Sequence, residues 1–333
     1  MKDVISIGDA TLDTFIELEK AIVTKNSHGE SLCLPFADKI PIHKLTKKVA
    51  GNAANVAVGI SRLGLTSAFW TKLGDDEFAK EVLKKMRDEK VSTRYVQKEK
   101  GTVSNFTVVL NYKGERTQLI HRLPRDYNPP DNLEPAQYFY LTAMGENHNL
   151  AYAELLSFMI KKKVKLAYNP GKFQITCKEK ICLDLLPYVE ILFVNKEEAE
   201  LIIHGEAANY HKNTKQLPKR HIKEIMKELY KLGPEVIVVT DGVKGSYAFA
   251  DNTFYHLPIF NGPLVERTGA GDAYATGFLS AKIHGKTTRE AMRWGTFNSW
   301  SVVQFIGPQD GLLTLSRMKK MCKENPKLKT ITF

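Results

Sequence analysis

The feature that most constrains the fold is an alternation of helical segments with short apolar strands, which begins near Asn52. Helical patterns cover 52–63 and 76–89. Further strands are predicted at 68–72, 138–142, 164–168, 191–194 and 236–240, and a first strand at 4–7. Buried parallel strands have this continuous apolar character, and their alternation with helices is typical of doubly wound sheets. The sequence therefore predicts an α/β fold with a doubly wound, mostly parallel sheet flanked by helices.

Two segments, at about 14–48 and 101–122, have a different pattern, in which apolar and polar residues alternate. A period of two is typical of strands with one exposed face. In the second segment, Lys113-Gly114 supplies a turn between the alternating runs 106–110 and 116–120. We predict that both segments form a small inserted β-sheet, a lid, within a single domain spanning 1–333.

Composition excludes several classes of protein. No apolar run reaches the ~18 residues of a membrane span, and the N-terminus lacks a signal-peptide layout. Cys33, Cys177, Cys182 and Cys322 show neither metal-site spacing nor a disulfide framework, which favours the reducing cytoplasm. The formal charge of +11 is scattered and not interleaved with aromatic residues, which argues against nucleic-acid binding. Such a charge still attracts anionic ligands such as nucleotides.

The strongest chemical signal is the segment 268–272, Thr-Gly-Ala-Gly-Asp, at the start of a predicted helix over 272–284. Small residues let backbone N–H groups approach an anion, and the helix dipole adds to the attraction. Asp272 would lie in the first turn, where a carboxylate can accept the proton of an attacking hydroxyl group. The alternative is an aspartate that merely caps a helix after a glycine turn.

Three further motifs carry polar groups next to predicted strands or helices. Asp9 and Asp13 follow the first strand, and paired carboxylates can hold the hydroxyl groups of a sugar; they can equally be turn and surface residues. Gly51 permits close approach of a ligand, and Asn52 and Asn55 suit a polyol, although a helix cap and a packing face explain them too.

The fourth motif is Asn195-Lys196-Glu197-Glu198, directly after the predicted strand 191–194. Glu198 would face the same sheet edge as Asn195 across one helical turn. A carboxylate near phosphates can order Mg²⁺ or its waters, whereas acidic residues in the first turn of a capped helix need no ligand at all.

In combination, these motifs resemble the ribokinase-like (PfkB) carbohydrate kinase family over about 4–313. The N-terminal signature is similar to Gly51-Asn52-Ala53-Ala54-Asn55, and the C-terminal signature to 268–272. Weaker marks include Gly114-Glu115-Arg116 and Thr240-Asp241-Gly242. The resemblance implies a ribokinase-like fold, the cofactors ATP and Mg²⁺, a sugar or nucleoside substrate, and a homodimer formed through the lid.

The resemblance also implies roles for individual residues. Asp272 matches the catalytic base, and Gly269, Ala270 and Gly271 match the anion hole. The positions matching substrate-binding residues are Asp13, Gly51, Asn52 and Asn55. Glu198 matches a residue that governs the metal, and the positions matching nucleotide-binding residues are Asn195, Thr240, Gly242, Gly245 and Asn298.

Two positions depart from the family pattern. Ala50 stands where a first glycine is usual, so backbone freedom there is reduced. Glu266-Arg267 stands where Asp-Thr is usual, which puts the family's monovalent-cation (K⁺) site in doubt. Arg267 would instead place a fixed positive charge beside the phosphates.

Other catalytic motifs are missing from the sequence, including a P-loop, a protein-kinase catalytic loop and a dinucleotide-binding glycine motif. The sequence therefore predicts a kinase that phosphorylates a hydroxyl group of a sugar-like molecule. A nucleoside kinase of the same fold would need an apolar wall such as Phe15 or Phe106. A non-catalytic nucleotide- or sugar-binding regulator is the remaining alternative, and it would not need Asp272.

Overall fold

The structure, a computed structural model, describes residues 1–26, 29–113, 115–176, 181–204 and 220–333. Gly114 of the predicted turn and Cys177 lie outside the described residues. The strands in chain order are β1 (Lys2–Ile7), β2 (Thr11–Leu18), β3 (Ile22–Asn26), β4 (Gly29–Cys33), β5 (Ile42–Ala50), β6 (Ser67–Trp70), β7 (Lys72–Gly74), β8 (Gln97–Glu99), β9 (Phe106–Tyr112), β10 (Glu115–His121), β11 (Ala136–Thr142), β12 (Lys165–Asn169), β13 (Val189–Asn195), β14 (Val236–Thr240), β15 (Ser246–Ala250), β16 (Thr253–Leu257) and β17 (Ile331–Thr332).

The α-helices of the described residues are α1 (Asn52–Arg62), α2 (Glu77–Asp88), α3 (Asn149–Lys162), α4 (Lys172–Thr176), α5 (Ile181–Asp184), α6 (Lys196–His204), α7 (Ile222–Lys231), α8 (Ala270–Ile283), α9 (Thr288–Val302) and α10 (Leu315–Glu324). In the described part of the chain, two short 3₁₀ helices cover Leu186–Tyr188 and Gly242–Lys244.

The main sheet has, within the described residues, the strand order β17-β16-β15-β14-β13-β12-β11-β1-β6. The strands from β6 to β14 pair in parallel, whereas β15, β16 and β17 form an antiparallel edge that sequence patterning did not predict. The predicted α/β fold with a mostly parallel sheet is confirmed. The predicted strand 68–72 is wrong at its C-terminal end. The main-sheet strand β6 ends at Trp70, and Lys72 begins β7, which pairs with β8 outside the main sheet.

Helices cover both faces of the main sheet, and alternate residues of one strand supply the two buried layers. In β11, Phe139 belongs to the buried cluster that contains Tyr152 of α3. Its neighbour Tyr140 belongs to the opposite cluster, which contains Phe278 of α8. Because successive side chains of a strand point to opposite faces, central strands buried on both faces are apolar throughout. This is why continuous apolar runs marked the parallel strands correctly.

A second sheet has the strand order β10-β9-β2-β5, and we call it the lid. It contains the alternating segments predicted from sequence, but it starts at Thr11 rather than near 14 and continues to Ala50 rather than 48. The hairpin β3–β4 lies within the predicted segment 14–48 but pairs only within itself among the described strands. No described helix has both the length and the apolar character needed to cross a bilayer.

Candidate active site

The helix α8 begins at a glycine turn that only glycine can form without strain. Gly269 caps the helix with φ 78° and ψ 3°, in the left-handed region. A Cβ atom there would lie 2.4 Å from Cβ of Pro308. A Cβ at Gly271 would meet no described atom within 4 Å, and no described side chain caps the helix. The first turn of α8 therefore opens onto free space, as an anion-binding helix N-terminus requires.

That space is a cavity of about 340 Å³ at the carboxyl edge of the main sheet, which we call the central cavity. It brings together predicted residues from four parts of the chain and two arginines. Its polar lining comprises Asn52, Asn169, Asn195, Glu198, Thr240, Gly269, Ala270, Gly271, Asp272, Arg116 and Arg267. Parallel strands commonly hold ligands at this edge.

Asp272 lies in the first turn of α8 with 7% of its surface exposed. Its Oδ2 accepts a hydrogen bond of 2.8 Å from Nδ2 of Asn55. Burial raises the pKa of Asp272 to about 7, the hydrogen bond from Asn55 opposes the rise, and the charge of Glu198 adds to it. A carboxyl group that titrates near neutral pH is suited to accept a proton from a hydroxyl group.

Asn55 acts on Asp272 in this structure rather than lining the central cavity. Its Oδ1 accepts a hydrogen bond of 3.0 Å from Nε2 of Gln309, and it is buried in α1. Its oxygen and one amide hydrogen are thus engaged by protein groups. Sequence reasoning assigned Asn55 to the substrate, but its contacts are those of a residue that orients the carboxylate of Asp272.

Gly51 lets the start of α1 pass very close to the end of β1. Its φ is 97°, and a Cβ atom would lie 2.6 Å from both the carbonyl oxygen of Asp9 and Cα of Ala10. This close approach brings Asn52 into the central cavity. Ala50 is the last residue of β5 and pairs with Thr11, so this departure from the family pattern falls in a strand, where alanine meets no backbone restriction.

Asp13 lies on the lid face that also carries Arg116. It pairs with Thr107 of β9, and residues directly opposite share a face. Its Oδ1 accepts a hydrogen bond of 2.8 Å from Oγ1 of Thr11. Burial raises the pKa of Asp13, with the Thr11 and Thr107 hydroxyl groups opposing the rise. Asp13 is thus a partly desolvated carboxylate on the inner face of the lid.

Asn195 and Glu198 fit both alternatives considered from sequence, a helix cap and a position beside the phosphates. The N–H of Asn195 donates to Oε2 of Glu198, and the N–H of Glu198 donates to Oδ1 of Asn195, each at 2.9 Å. This reciprocal pair caps α6, yet both residues line the central cavity. No group of three or more His, Cys, Asp or Glu side chains in the described residues could hold a metal ion alone. Mg²⁺ in kinases needs few protein ligands, because phosphates and water complete its shell, so Glu198 fits such a site.

A second cavity of about 350 Å³, the side cavity, adjoins the central one. Thr240 lies on both, and Gly242 and Gly245 line the side cavity with the aromatic residues Phe260 and Trp300. Both glycines have positive φ, 51° and 91°. An apolar wall with a few polar groups suits a nucleotide base.

Asn298 is a predicted nucleotide-binding residue that the structure does not bring to either cavity. It is fully buried, its Nδ2 donates to the carbonyl of Ala273 at 2.8 Å, and its Oδ1 accepts from the N–H of Leu313 at 2.9 Å. With its amide engaged at both ends, Asn298 joins α8 to the segment before α10. These contacts are structural, and a role of Asn298 in nucleotide binding stays a prediction.

Sequence reasoning missed the contact between the lid and the glycine turn. Nη1 of Arg116 donates to Oε1 of Glu266 and to Oγ1 of Thr268, each at 3.0 Å. Oε1 of Glu266 also accepts from the N–H of Thr268 at 2.9 Å, and Oε2 accepts from the N–H of Gly307 at 3.2 Å. Arg116 was noted only as part of a weak family mark, and no local pattern reveals a partner 150 residues away. The buried carboxylate of Glu266 thus ties the lid to the anion-binding turn.

Arg267 follows Glu266 and is exposed on the side of the turn that faces the ligand space. It lines the central cavity, the side cavity and a third cavity of about 500 Å³ beneath the lid. Arg116 and Arg267 therefore both place positive charge at the central cavity, beside the glycine turn.

Known proteins similar to this chain are kinases. A curated relative, 5-dehydro-2-deoxygluconokinase of Shouchella clausii (strain KSM-K16), is 25% identical over 297 residues, covering 84% of this chain and 87% of the relative. The nucleoside kinase of Methanocaldococcus jannaschii is 25% identical over 330 residues, covering 96% of both chains.

Among solved structures, Arabidopsis thaliana ribokinase complexed with ribose and ATP superposes with a TM-score of 0.77 at 20% identity, covering 97% of this chain and 99% of that one. The family model described as pfkB family carbohydrate kinase matches residues 1–315. The members of this family are phosphotransferases that act on an alcohol group. The protein belongs to the pfkB family of carbohydrate kinases.

Proposed function

We propose that this kinase transfers the γ-phosphoryl group of ATP to a hydroxyl group of a small sugar or sugar-like molecule. The observation that supports the proposal is the carboxyl group of Asp272, which lies in the first turn of α8 at the central cavity and whose pKa is raised by burial to about 7. The same carboxylate is aligned by Asn55.

The substrate would bind between the lid and the carboxyl edge of the main sheet. Asp13 and Asn52 hold its hydroxyl groups, one from each side of that cleft. Asp272 then accepts the proton of the attacking hydroxyl group. The backbone N–H groups at Gly269, Ala270 and Gly271 stabilise the negative charge that develops on the transferred group. Lid closure excludes water, which limits hydrolysis of ATP.

Mg·ATP supplies the phosphoryl group and neutralises part of its charge when bound. We assign the adenine base of ATP to the side cavity at Gly242 and Gly245, with Thr240 at the junction between the two cavities. Asn195 and Glu198 would orient the metal or its waters at the central cavity. Because Glu266 already binds Arg116 and two backbone N–H groups, we propose that a monovalent cation is not required.

Arg116 and Arg267 add fixed positive charge to the transfer site. Arg116 reaches the central cavity from the lid, so its charge arrives with lid closure. Arg267 lies where the central and side cavities meet, which suits contact with the phosphates of the nucleotide. An Arg267→Ala variant with unchanged ATP affinity and rate would remove this role for Arg267.

A nucleoside is the second candidate for the substrate, since the match to the nucleoside kinase of Methanocaldococcus jannaschii covers 96% of this chain, against 84% for the 5-dehydro-2-deoxygluconokinase of Shouchella clausii at the same identity. An ATP-consumption screen over ribose, fructose, ketodeoxygluconate, tagatose phosphate, adenosine and other nucleosides decides between the candidates. The Asp272→Asn variant is the blank. Consumption that persists in this variant would contradict the role of Asp272, and a regulator without catalysis would give no consumption with any compound.

The outer face of the lid suggests a homodimer. Leu45 and Leu119 are 51% and 55% exposed. Leu45 pairs with Ile16 of β2, so the two residues share the face opposite to Asp13. Pairing of two lids would cover these residues. Analytical sedimentation tests this dimer: a monomeric Leu45→Glu variant beside a dimeric parent protein would support it. We expect a cytoplasmic protein whose partners are small molecules rather than nucleic acid or membrane.

A further inference from the structure

Asp9 is a buried carboxylate for which the mechanism above has no use. It follows β1 directly, and its N–H donates to the carbonyl of Ala143 at 2.9 Å, next to the end of β11. Its Oδ1 accepts a hydrogen bond of 2.9 Å from the hydroxyl group of Tyr127, and only 3% of the residue is exposed. Asp9 is therefore held rigidly at the carboxyl edge of the main sheet.

The second oxygen of Asp9 lacks a partner. Oδ2 is buried and accepts no hydrogen bond from any described residue. The nearest charge is Nε of Arg122, at 3.9 Å, which is too long for a hydrogen bond. A buried carboxylate oxygen without a donor is costly, and native proteins rarely keep one unless water or a ligand supplies the donor. A ligand hydroxyl group would fill this position.

Arg122 lies one residue beyond β10, where the lid joins the body of the protein. Its guanidinium group makes no hydrogen bond with the described residues. Burial raises the pKa of both Asp9 and Asp13, and the positive charge of Arg122 opposes that rise. The negative charge of Glu266, beside the glycine turn, adds to the rise in the pKa of Asp13. Charged groups thus interact in sequence from Glu266 beside the glycine turn, through Asp13 and Arg122, to Asp9.

We propose that Asp9 and Arg122 form a specificity subsite for a neutral, hydroxylated end of the substrate, remote from the hydroxyl group that Asp272 deprotonates. A substrate hydroxyl group donates to Oδ2 of Asp9, and Arg122 donates to a neighbouring substrate oxygen. The inference rests on the proposed kinase function and narrows its substrate class to uncharged sugars and nucleosides.

The charge balance of the subsite supports this choice. Two carboxylates, Asp9 and Asp13, lie beside the guanidinium group of Arg122. Arg125 also acts on Asp9, but Arg125 is paired with Glu99, so the subsite carries a net negative charge when both carboxylates are ionised. A carboxylate or phosphate on the substrate would be buried beside like charges, which is unfavourable at short range in a desolvated site. A hydroxyl group satisfies the Asp9 oxygen without adding charge. Sugar acids and sugar phosphates are therefore disfavoured.

The test compares neutral and charged members of matched pairs that keep the same primary hydroxyl group and differ at the other end: ribose with ribonate, and glucose with gluconate. The measurement is kcat/KM in a coupled ATP-consumption assay with the full chain. We expect the neutral member to be favoured by about tenfold or more. Equal use of both members, or preference for the charged member, would overturn the subsite while leaving the kinase function intact. No consumption above the Asp272→Asn blank with any member would instead refute the kinase function.

A variant assigns the selectivity to Asp9. Asp9→Asn keeps the size of the side chain but removes the charge, and we expect KM for the neutral substrate to rise about tenfold while kcat and KM for ATP change less than about threefold. The matched control is Asp131→Asn, an exposed aspartate whose replacement should leave every constant unchanged. An unchanged KM in a folded Asp9→Asn protein would contradict the proposal.

Arg122→Gln provides an independent route if Asp9→Asn does not fold, because the Arg122 side chain is 38% exposed and its loss should be tolerated. Removing the positive charge leaves the carboxylates of Asp9 and Asp13 uncompensated. We expect a higher KM for the neutral substrate and an even poorer use of charged substrates. A gain in the use of charged substrates would overturn the proposal.

Discussion

The pH dependence of kcat/KM tests the assignment of Asp272 most directly. As a base, Asp272 must be ionised before the acceptor substrate binds, and burial raises its pKa to about 7. Activity should therefore fall tenfold per pH unit below about pH 7 and level off above it. An unperturbed aspartate, with a pKa near 3.8, would give no such fall between pH 5 and 8.

Two neighbours of Asp272 should move this pH limb in opposite directions. The hydrogen bond from Asn55 stabilises the ionised form, and such bonds contribute roughly 1.5–3 kcal/mol, or about 1–2 pH units. Asn55→Ala should therefore shift the limb upward by up to that amount. Glu198 raises the pKa of Asp272, so Glu198→Gln should shift the limb downward.

The assay is steady-state kinetics between pH 5 and 9 with saturating Mg·ATP, using a substrate that does not titrate in this range. Glu197→Gln, the neighbouring carboxylate on α6, serves as the control for Glu198→Gln and should leave the limb in place. A limb that stays at the same pH in both Asn55→Ala and Glu198→Gln would refute the assignment of the titrating group to Asp272.

Four further predictions concern the same region. Asp272→Asn should lower kcat by roughly 10²-fold or more. Because the folded pKa of Asp272 lies above its unfolded value, this carboxyl group stabilises the fold fully only below about pH 4, and the contribution is lost as the pH rises through about 7. Asp272→Asn should therefore stabilise the protein at pH 8 by up to about 4 kcal/mol but hardly at pH 4, and equal denaturant midpoints at pH 8 would contradict this. Arg116→Ala should lower kcat by about tenfold or more. Thr117→Ala, on the outer lid face, is the control, and an equal kcat of the two variants would argue against a role of Arg116 in phosphoryl transfer. Gly269→Ala should lower the free energy of unfolding, measured with urea, by roughly 2 kcal/mol or more, because strain at positive φ adds to a clash with Pro308. The control is Gly285→Ala, which is also at positive φ but has no described atom within 4 Å of the new Cβ; it should lower the free energy of unfolding by only about 1 kcal/mol.

Much of the architecture could be predicted from the sequence because its signals are local. The strand Val236–Thr240 is apolar on both faces, so its burial in a parallel sheet follows from its composition alone. The glycine turn before α8 and the position of Asp272 in its first turn depend on only a few consecutive residues. The antiparallel edge β15–β17 was missed, since short strands of mixed character carry no distinctive period.

The partners of the site residues depended on the tertiary structure. Asn55 and Asp272 are 217 residues apart, and the hydrogen bond between them arises only when α1 packs beside α8. The amide side chain of Asn298 could donate and accept hydrogen bonds with a ligand, but packing between α8 and α9 buries it and directs the amide to backbone groups.

The sequence by itself determined which residues can bind an anion, accept a proton or form a buried strand, because those properties belong to a side chain and its immediate neighbours. Only the tertiary structure decided that Arg116 meets Glu266 and that one oxygen of Asp9 is left without a donor. Burial and charge pairing depend on segments that are far apart in the chain, and these set the pKa of Asp272 and the polarity of the cleft.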